Sequence, residues 1–433
     1  MMESTRDTIY ALSSAPGRAG VAVIRLTGCQ AVEILKLITK QPLPSKRKMV
    51  VRKIYAAAEV VDEAMVVWFE TGASFTSEEM VELHVHGGRA SVSGVLSVLA
   101  DHSDLRIAEP GEFTRRAMES GRMDLLEVEA LADLINAETD EQRKQALNLM
   151  DGDGHSKALE WRDMFLHALA LLEASIDFAD EEDAPEDASD TVSHLIETLQ
   201  RELAMAIRGS RSAARVRDGY RIALVGSPNA GKSTLINALA NRQAAITSPV
   251  AGTTRDIIEV SCDFEGFPVV LQDMAGLRDT DDPVEQIGVS WAREAAVSAD
   301  LRLFLSSPDA PLVSTDGLER PDDIHVRTKL DIFPQAEGLA VSAKDGAGLD
   351  KLINEIISFI SGDGLVSATF ARERQVECLR IAFEHIEACR RSEAPEIIAE
   401  NLRGGVTAMN HLFGEIGTEE VLGKIFSQFC IGK

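Results

Sequence analysis

From Thr8 to about Ala117, short β-branched and aliphatic runs alternate with stretches whose apolar positions recur every three or four residues. "TIYAL", "GVAVIRL", "KMVVRKIY", "AMVVWFE" and "MVELHVHGG" have the length and composition of strands, and "AVEILKLI" among them reads as a helix. That mixture predicts a small α+β or α/β domain. From Asp124 to Arg217 the period is helical: Leu125, Val128, Leu131 and Ile135 share a face, as do Phe165, Leu169, Leu172 and Ile176, and then Ile196, Leu199, Leu203 and Ile207. At "DGYRIALVGS" strands return in alternation with helices and continue to about Gly364. Beyond it Val376, Leu379, Phe383 and Ile386 mark another helical face. A last helix is predicted from Thr418 to Phe429, with Thr418 as N-cap and Glu419 and Glu420 at the positive end of its dipole.

The economical arrangement is an all-helical domain, begun before residue 210 and finished after 364, into which an α/β module is inserted. Chain ends lie close together in such modules, so insertion costs little. The expected boundaries are 1–118 for the N-terminal domain, 119–217 and 365–433 for the two parts of the helical domain, and 218–364 for the insert.

Composition narrows this picture. A length of 433 residues suits about three cores. No run of 18 or more apolar residues occurs, and "MMESTRDTIY" lacks a basic flank before an apolar stretch, so the expectation is a cytoplasmic protein without a membrane segment. Five cysteines without a Cys-x-x-Cys pair argue against a disulfide framework or a zinc site, and the first four are expected to be small buried or half-buried residues. The net charge of -26 repels phosphate backbones at long range, so any RNA contact needs a local basic patch or a partner. The acidic run "DFADEEDAPEDASD", Asp177 to Asp190, reads as a solvated loop, with a divalent-cation site as the sharper alternative.

The insert opens with a buried strand, a G-x-x-x-x-G-K-S loop and a helix. Gly226 and Gly231 let backbone N–H groups turn around phosphates, Lys232 reaches their outer oxygens, and the Ser233 hydroxyl suits Mg²⁺. Asn229, Ala230 and Thr234 complete the loop and the first turn of the helix. Thr254 in "GTTRD" suits Mg²⁺ and γ-phosphate sensing, while "DMAG" delivers Asp273 and Gly276 at the end of a hairpin read in "CDFEGFPVVLQD". "TKLD" (Thr328, Lys329, Asp331) and "SAK" (Ser342, Ala343, Lys344) each end a strand. The Asp331 carboxylate can pair with N1–H and the amine of guanine, which adenine cannot match, so the nucleotide is GTP. Thr328 stands where Asn is usual. Leu277 stands where Ras-type enzymes carry a water-orienting Gln, and no arginine finger is evident, so another group must orient the water.

Seven segments in this order, "PGRAGVAVIRLTG", "SFTSEEMVELHVHGG", "PGEFTRRAMESGRMDLLEVEALADLI", "GSPNAGKST", "AGTTRD", "DMAGLR" and the terminal "FCIGK", resemble the tRNA modification GTPase MnmE family, also called TrmE, over essentially the whole chain. The resemblance implies an N-terminal α+β folate-binding and dimer-forming domain, a helical domain and an inserted Ras-like α/β P-loop G domain. It implies GTPase activation by dimerisation across K⁺, with Asn229, Ser248, Val250 and Thr253 as ligands to the ion. Glu285 then matches the catalytic Glu that polarises water, and Arg278 a switch-region Arg. Arg25, Glu82, Arg122 and the terminal Lys433 match positions that contact 5-formyltetrahydrofolate. The implied partners are a second copy, an FAD-dependent protein of the MnmG or GidA type in a heterotetrameric complex, and tRNA, whose wobble uridine U34 receives an aminomethyl-type group at C5.

The resemblance also brings the tail back to the folate site, where the Cys430 thiol takes part in one-carbon transfer or is a buried, inert residue. In "HVHGG" a strand puts His84 and His86 on one face, which invites a metal reading for which no third ligand is evident. A rival reading of the G motifs is an Era-related regulatory switch acting in ribosome assembly or signalling. It has no need of a folate-like domain or a terminal cysteine. A third reading, a folate store with a vestigial GTPase, is opposed by the completeness of the phosphate and guanine motifs.

Overall fold

The computed structural model describes residues 7–177, 188–243, 258–274, 293–312, 317–334, 338–362 and 369–414, together with Gly423, Phe426, Phe429 and Gly432. The chain divides into two compact units, Met1–Ala132 with Phe413–Lys433, and Asp133–Leu412. Among the described residues no helix is long and apolar enough to cross a membrane.

The first unit is built on β1 (Thr8–Leu12), β2 (Val21–Thr27), α1 (Ala31–Thr39), β3 (Val50–Ala56), β4 (Glu59–Phe69), β5 (Met80–His86), α2 (Arg89–Ala100), β6 (Leu105–Ile107) and α3 (Glu112–Glu119), with α4 (Leu125–Asn136) following. Its six strands lie in the order β3-β4-β5-β2-β1-β6; the first five fall on the runs read as strands, and the short β6 is an addition. Period-two alternation decides the two faces. Ala22, Ile24 and Leu26 of β2, with Val81, Leu83 and Val85 of β5, join Ile34, Leu35 and Ile38 of α1 and Val95 and Leu99 of α2 in one core. Val23, Arg25, Glu82 and His84 are thereby sent to the other face, where Ile9, Ala11, Ala108 and Phe113 form a smaller apolar patch with Phe75.

The second unit holds α5 (Asp140–Asp151), α6 (Asp153–Asp177), α7 (Ala188–Asp218), β7 (Tyr220–Gly226), α8 (Lys232–Arg242), β8 (Ile258–Phe264), β9 (Phe267–Asp273), β10 (Leu301–Ser306), β11 (Ile324–Arg327), α9 (Leu349–Gly362), α10 (Glu373–Arg390) and α11 (Pro395–Phe413). Its sheet runs β11-β10-β7-β9-β8, parallel except for β8, which pairs antiparallel with β9 through the expected hairpin. Glu265 and Gly266 both take left-handed backbone angles at the turn, which suits a two-residue connection. Central β7 is buried on both faces except at Arg221, as a parallel strand between helices should be. α5 starts on a full capping box, Thr139 accepting from the Gln142 N–H while Gln142 reaches back to Thr139.

Three expectations need adjustment. Cys262, Cys378 and Cys389 are buried, but Cys29 is exposed because it sits in the turn between β2 and α1. "SAK" follows an isolated bridge between Arg327 and Ala340 rather than a full strand, since only the pair of bonds around Arg327 continues the ladder. On α10 the fully buried stripe is Gln375, Leu379, Ala382 and Ile386, so Val376 and Phe383 flank it half-buried. Most of the acidic run and of the last helix lies outside the described residues.

Candidate functional site

β7 ends at Gly226, where an added Cβ would lie 2.6 Å from the Leu305 carbonyl oxygen, so a side chain there would collide with β10. The chain then curls back: Asn229 has φ 66° and Gly231 φ 89°, and α8 begins at Lys232. The loop is thus placed at the positive end of a helix, with Ser233 and Thr234 exposed on its first turn. Lys232 is folded into this loop, its ammonium donating to the carbonyl oxygens of Gly226 at 2.9 Å and Ser227 at 3.3 Å. Burial lowers its pKa, against the opposing pull of Asp273.

The Ser233 hydroxyl donates to Asp273 Oδ2 at 2.5 Å. The other oxygen of Asp273, Oδ1, is buried without a hydrogen-bond partner among the described residues. A buried anion left half-satisfied is costly, and a cation beside it removes the cost. Hydroxyl and carboxylate oxygens are also the donors a hard divalent ion selects, so these residues fit Mg²⁺.

Thr328, the departure from the usual motif, is buried. Its hydroxyl donates to the Ala230 carbonyl oxygen at 2.7 Å and lies 3.3 Å from that of Ser306, so it braces the phosphate loop against the end of β10. Lys329 adopts φ 63° and pairs with Asp309 at 2.6 Å. Asp331 accepts from the Ser342 hydroxyl at 3.2 Å, and the Leu330 N–H bonds the Val341 carbonyl at 3.1 Å. "TKLD" and "SAK" therefore meet, with Ala343 half-buried and Lys344 exposed beside them. Ser248, Val250, Thr253, Thr254, Gly276, Arg278 and Glu285 lie outside the described residues.

In the N-terminal sheet, antiparallel register sets Arg25 directly opposite Glu82. Arg25 Nε donates to Glu82 Oε1 at 2.8 Å, and His84 Nε2 lies 3.3 Å from Oε2 of the same carboxylate. The Arg25 guanidinium also stands 5.8 Å from the centre of the Phe75 ring. The site is thus a carboxylate held from both sides beside an aromatic ring, of the kind that pairs with an amide–amidine edge. Phe75 and His84 were not singled out as parts of it. The i, i+2 spacing of Glu82 and His84 was the available signal, whereas nothing local announces Phe75. His86 turns instead to Asp62, at 2.7 Å, and among the described residues no cluster of three ligating groups includes either histidine. Arg122 is exposed, its N–H closing α3 on the Ala117 carbonyl.

Below this face runs a chain of charges. Thr27 donates to Glu78 and Arg116 bridges Glu78 to Glu112, which also holds Arg106. Burial alone would raise the Glu112 pKa, but hydrogen bonds from Arg106, the Glu109 N–H and Arg116 reverse this and take it down to about 2. Cys262 and Cys389 are pushed the other way, up to about 11, by burial, which marks them as inert packing thiols.

Cys430 and Lys433 lie outside the described residues, but their neighbours Phe429 and Gly432 are buried in the first unit. Gly432 has φ 100°, and an added Cβ would lie 2.3 Å from the Leu12 carbonyl oxygen. Leu12 pairs with Ile24, adjacent to Arg25 on β2. Gly432 is therefore seated at the end of β1, on the sheet that carries Arg25 and Glu82.

Two family models match the chain, one described as MnmE helical domain over residues 125–430 and one as GTP-binding protein TrmE N-terminus over residues 8–122. Among curated proteins the chain is 46% identical to the tRNA modification GTPase MnmE of Cereibacter sphaeroides (strain ATCC 17029 / ATH 2.4.9), covering 99% of this chain and 100% of that one. The corresponding protein of Roseobacter denitrificans is 46% identical, again over 99% and 100%. That of Beijerinckia indica is 44% identical over 99% and 97%.

Proposed function

Because the chain belongs to the tRNA modification GTPase MnmE family, we propose that it is a K⁺-stimulated GTPase acting, with an FAD-dependent partner of the MnmG or GidA type, at C5 of the wobble uridine U34 of certain tRNAs. It works as a cytoplasmic homodimer, and a tetrahydrofolate derivative supplies the carbon of the aminomethyl-type group. Ser233 and Thr254, with Asp273, would hold Mg²⁺, and the orphaned Oδ1 of Asp273 supports this reading. K⁺ is held by Asn229, Ser248, Val250 and Thr253. When bound, these ions neutralise charge that develops on the phosphates, work an arginine would otherwise do. Glu285 orients the attacking water, and Arg278 serves as a switch-region Arg.

Arg25, Glu82, Arg122 and Lys433 bind the folate, and the Cys430 thiol acts in one-carbon transfer. The observation that carries this half is the seat of Gly432 against Leu12, which brings the residue two places after Cys430 onto the sheet of the Arg25–Glu82 pair. An Era-type switch gives no reason for either that paired carboxylate or that tail. The test is Cys430→Ser. GTP turnover should stay near the wild-type rate while mass spectrometry of wobble uridines shows the modification lost. Modification at the wild-type level would refute a catalytic tail.

A further inference from the structure

The chain carries a large excess of carboxylates, 70 Asp and Glu against 44 Lys and Arg. The C-terminal half of α7 departs from this. Between Arg201 and Arg217 it carries Arg201, Arg208, Arg211, Arg215 and Arg217 with Glu202 as the lone acid. At about 100° per residue the first four fall within an arc of roughly 80° on one helix face. Leu199, Leu203, Ala213 and Val216 are buried on the other side.

Pairing separates these cations into two groups. Arg215 is committed to Asp300 at 2.7 Å, and Arg217 to Asp133. Arg208 and Arg211 are exposed and have no ion pair among the described residues, and Arg201 is exposed with only a loose contact to Glu202 at 3.8 Å. Glu202 is itself held by Lys157 at 2.9 Å and by the indole N–H of Trp161 at 2.8 Å. Arg201 and Arg208 line a cleft of about 770 Å³, and Arg211 lines a second, of about 400 Å³, together with Arg221 and Arg320. The carboxylates sharing these clefts are largely spent: Asp300 on Arg215 and the Arg221 N–H, Asp218 on Arg217, Glu202 on Lys157 and Trp161, leaving Asp153.

We infer that the arginine face of α7, Arg201, Arg208 and Arg211 continued by Arg221, binds the sugar–phosphate backbone of the tRNA. The inference rests on the proposed function and says where the RNA lies on the second unit. A chain of this net charge gains no RNA affinity from its overall field, so contact must come from a local row of unspent cations. The solvent-directed cations of this row are all arginine, and the guanidinium fork matches phosphate oxygens where an ammonium offers only a point charge.

The experiment measures binding of a labelled, unmodified tRNA transcript to the full-length protein, alone and with its FAD-dependent partner, from about 50 to about 200 mM KCl. R208E/R211E should weaken binding by about ten-fold or more and lower the slope of log K against log salt by roughly 1.5, as expected for two lost phosphate contacts. GTP turnover and thermal melting should match wild type, and R208A/R211A gives a milder version should the reversal perturb folding. Unchanged affinity and slope would overturn the inference. So would intact tRNA binding with lost capture of the protein partner, which would make this face a dock for an acidic protein surface. If wild type binds no tRNA in either form, the proposed function falls, whereas wild-type binding to which the variants are indifferent removes only this inference.

Discussion

The phosphate loop and the Arg25–Glu82 face reach their chemistry by opposite routes. In the loop most of the chemistry is carried by consecutive backbone between Gly226 and Ser233, turned by two left-handed residues and backed by a helix end. On the N-terminal sheet it is carried by side chains 57 residues apart, which meet only because β2 and β5 pair in one register. A one-residue slip would leave the loop intact and send Glu82 into the apolar core. Sites made of local backbone are therefore written in short spacing, and sites made by register are written in the whole sheet.

The contrast can be tested in order of expected effect. At the loop, GTP turnover should drop by on the order of 10²-fold when K⁺ is replaced by Na⁺, the scale of losing one preorganised stabiliser of the transition state. Asn229→Ala should abolish the difference between the salts, and equal wild-type rates in both would remove the ion from the scheme. On the sheet, Glu82→Gln should weaken 5-formyltetrahydrofolate binding, measured calorimetrically on the dimer, by roughly 30-fold, since one member of a charged pair is neutralised. GTP turnover in that variant should not move; a parallel loss would mean that the two sites are not chemically separate. The mildest change is Gly432→Ala. Its φ of 100° and the Leu12 carbonyl oppose any Cβ, so the tail should lose about 1–2 kcal/mol of seating. Faster proteolysis of the C-terminus and a several-fold drop in modification should follow, with turnover preserved.

How much could be read from the residues follows the same division. The strand–loop–helix around Lys232 and the hairpin delivering Asp273 were legible, because each motif is short and ends an element, whereas the meeting of "TKLD" with "SAK" is made by tertiary bonds that the two motifs do not announce. The bracing role of Thr328 was not legible either. It depends on the Ala230 carbonyl 98 positions away, and a base-recognition motif gives no hint that its first hydroxyl faces the phosphate loop. Arg25 and Glu82 came into view through family resemblance rather than pattern, and Phe75 not at all, since no local period links a loop phenylalanine to a strand arginine. Alternation did foretell that His84 and His86 share a face of one strand. It could not foretell that His86 would turn to Asp62, a residue of another strand.

The hairpin of β8 and β9 has one more property. Asp273 stands at one end of β9, and at the other the Gly266 carbonyl accepts the Glu141 N–H of α5. Between them β9 is hydrogen-bonded to β7 on one side and β8 on the other over roughly 20 Å. A strand clamped along both edges cannot slide on its own, so the ladder that positions the Asp273 carboxylate also fixes how far it stands from the first turn of α5.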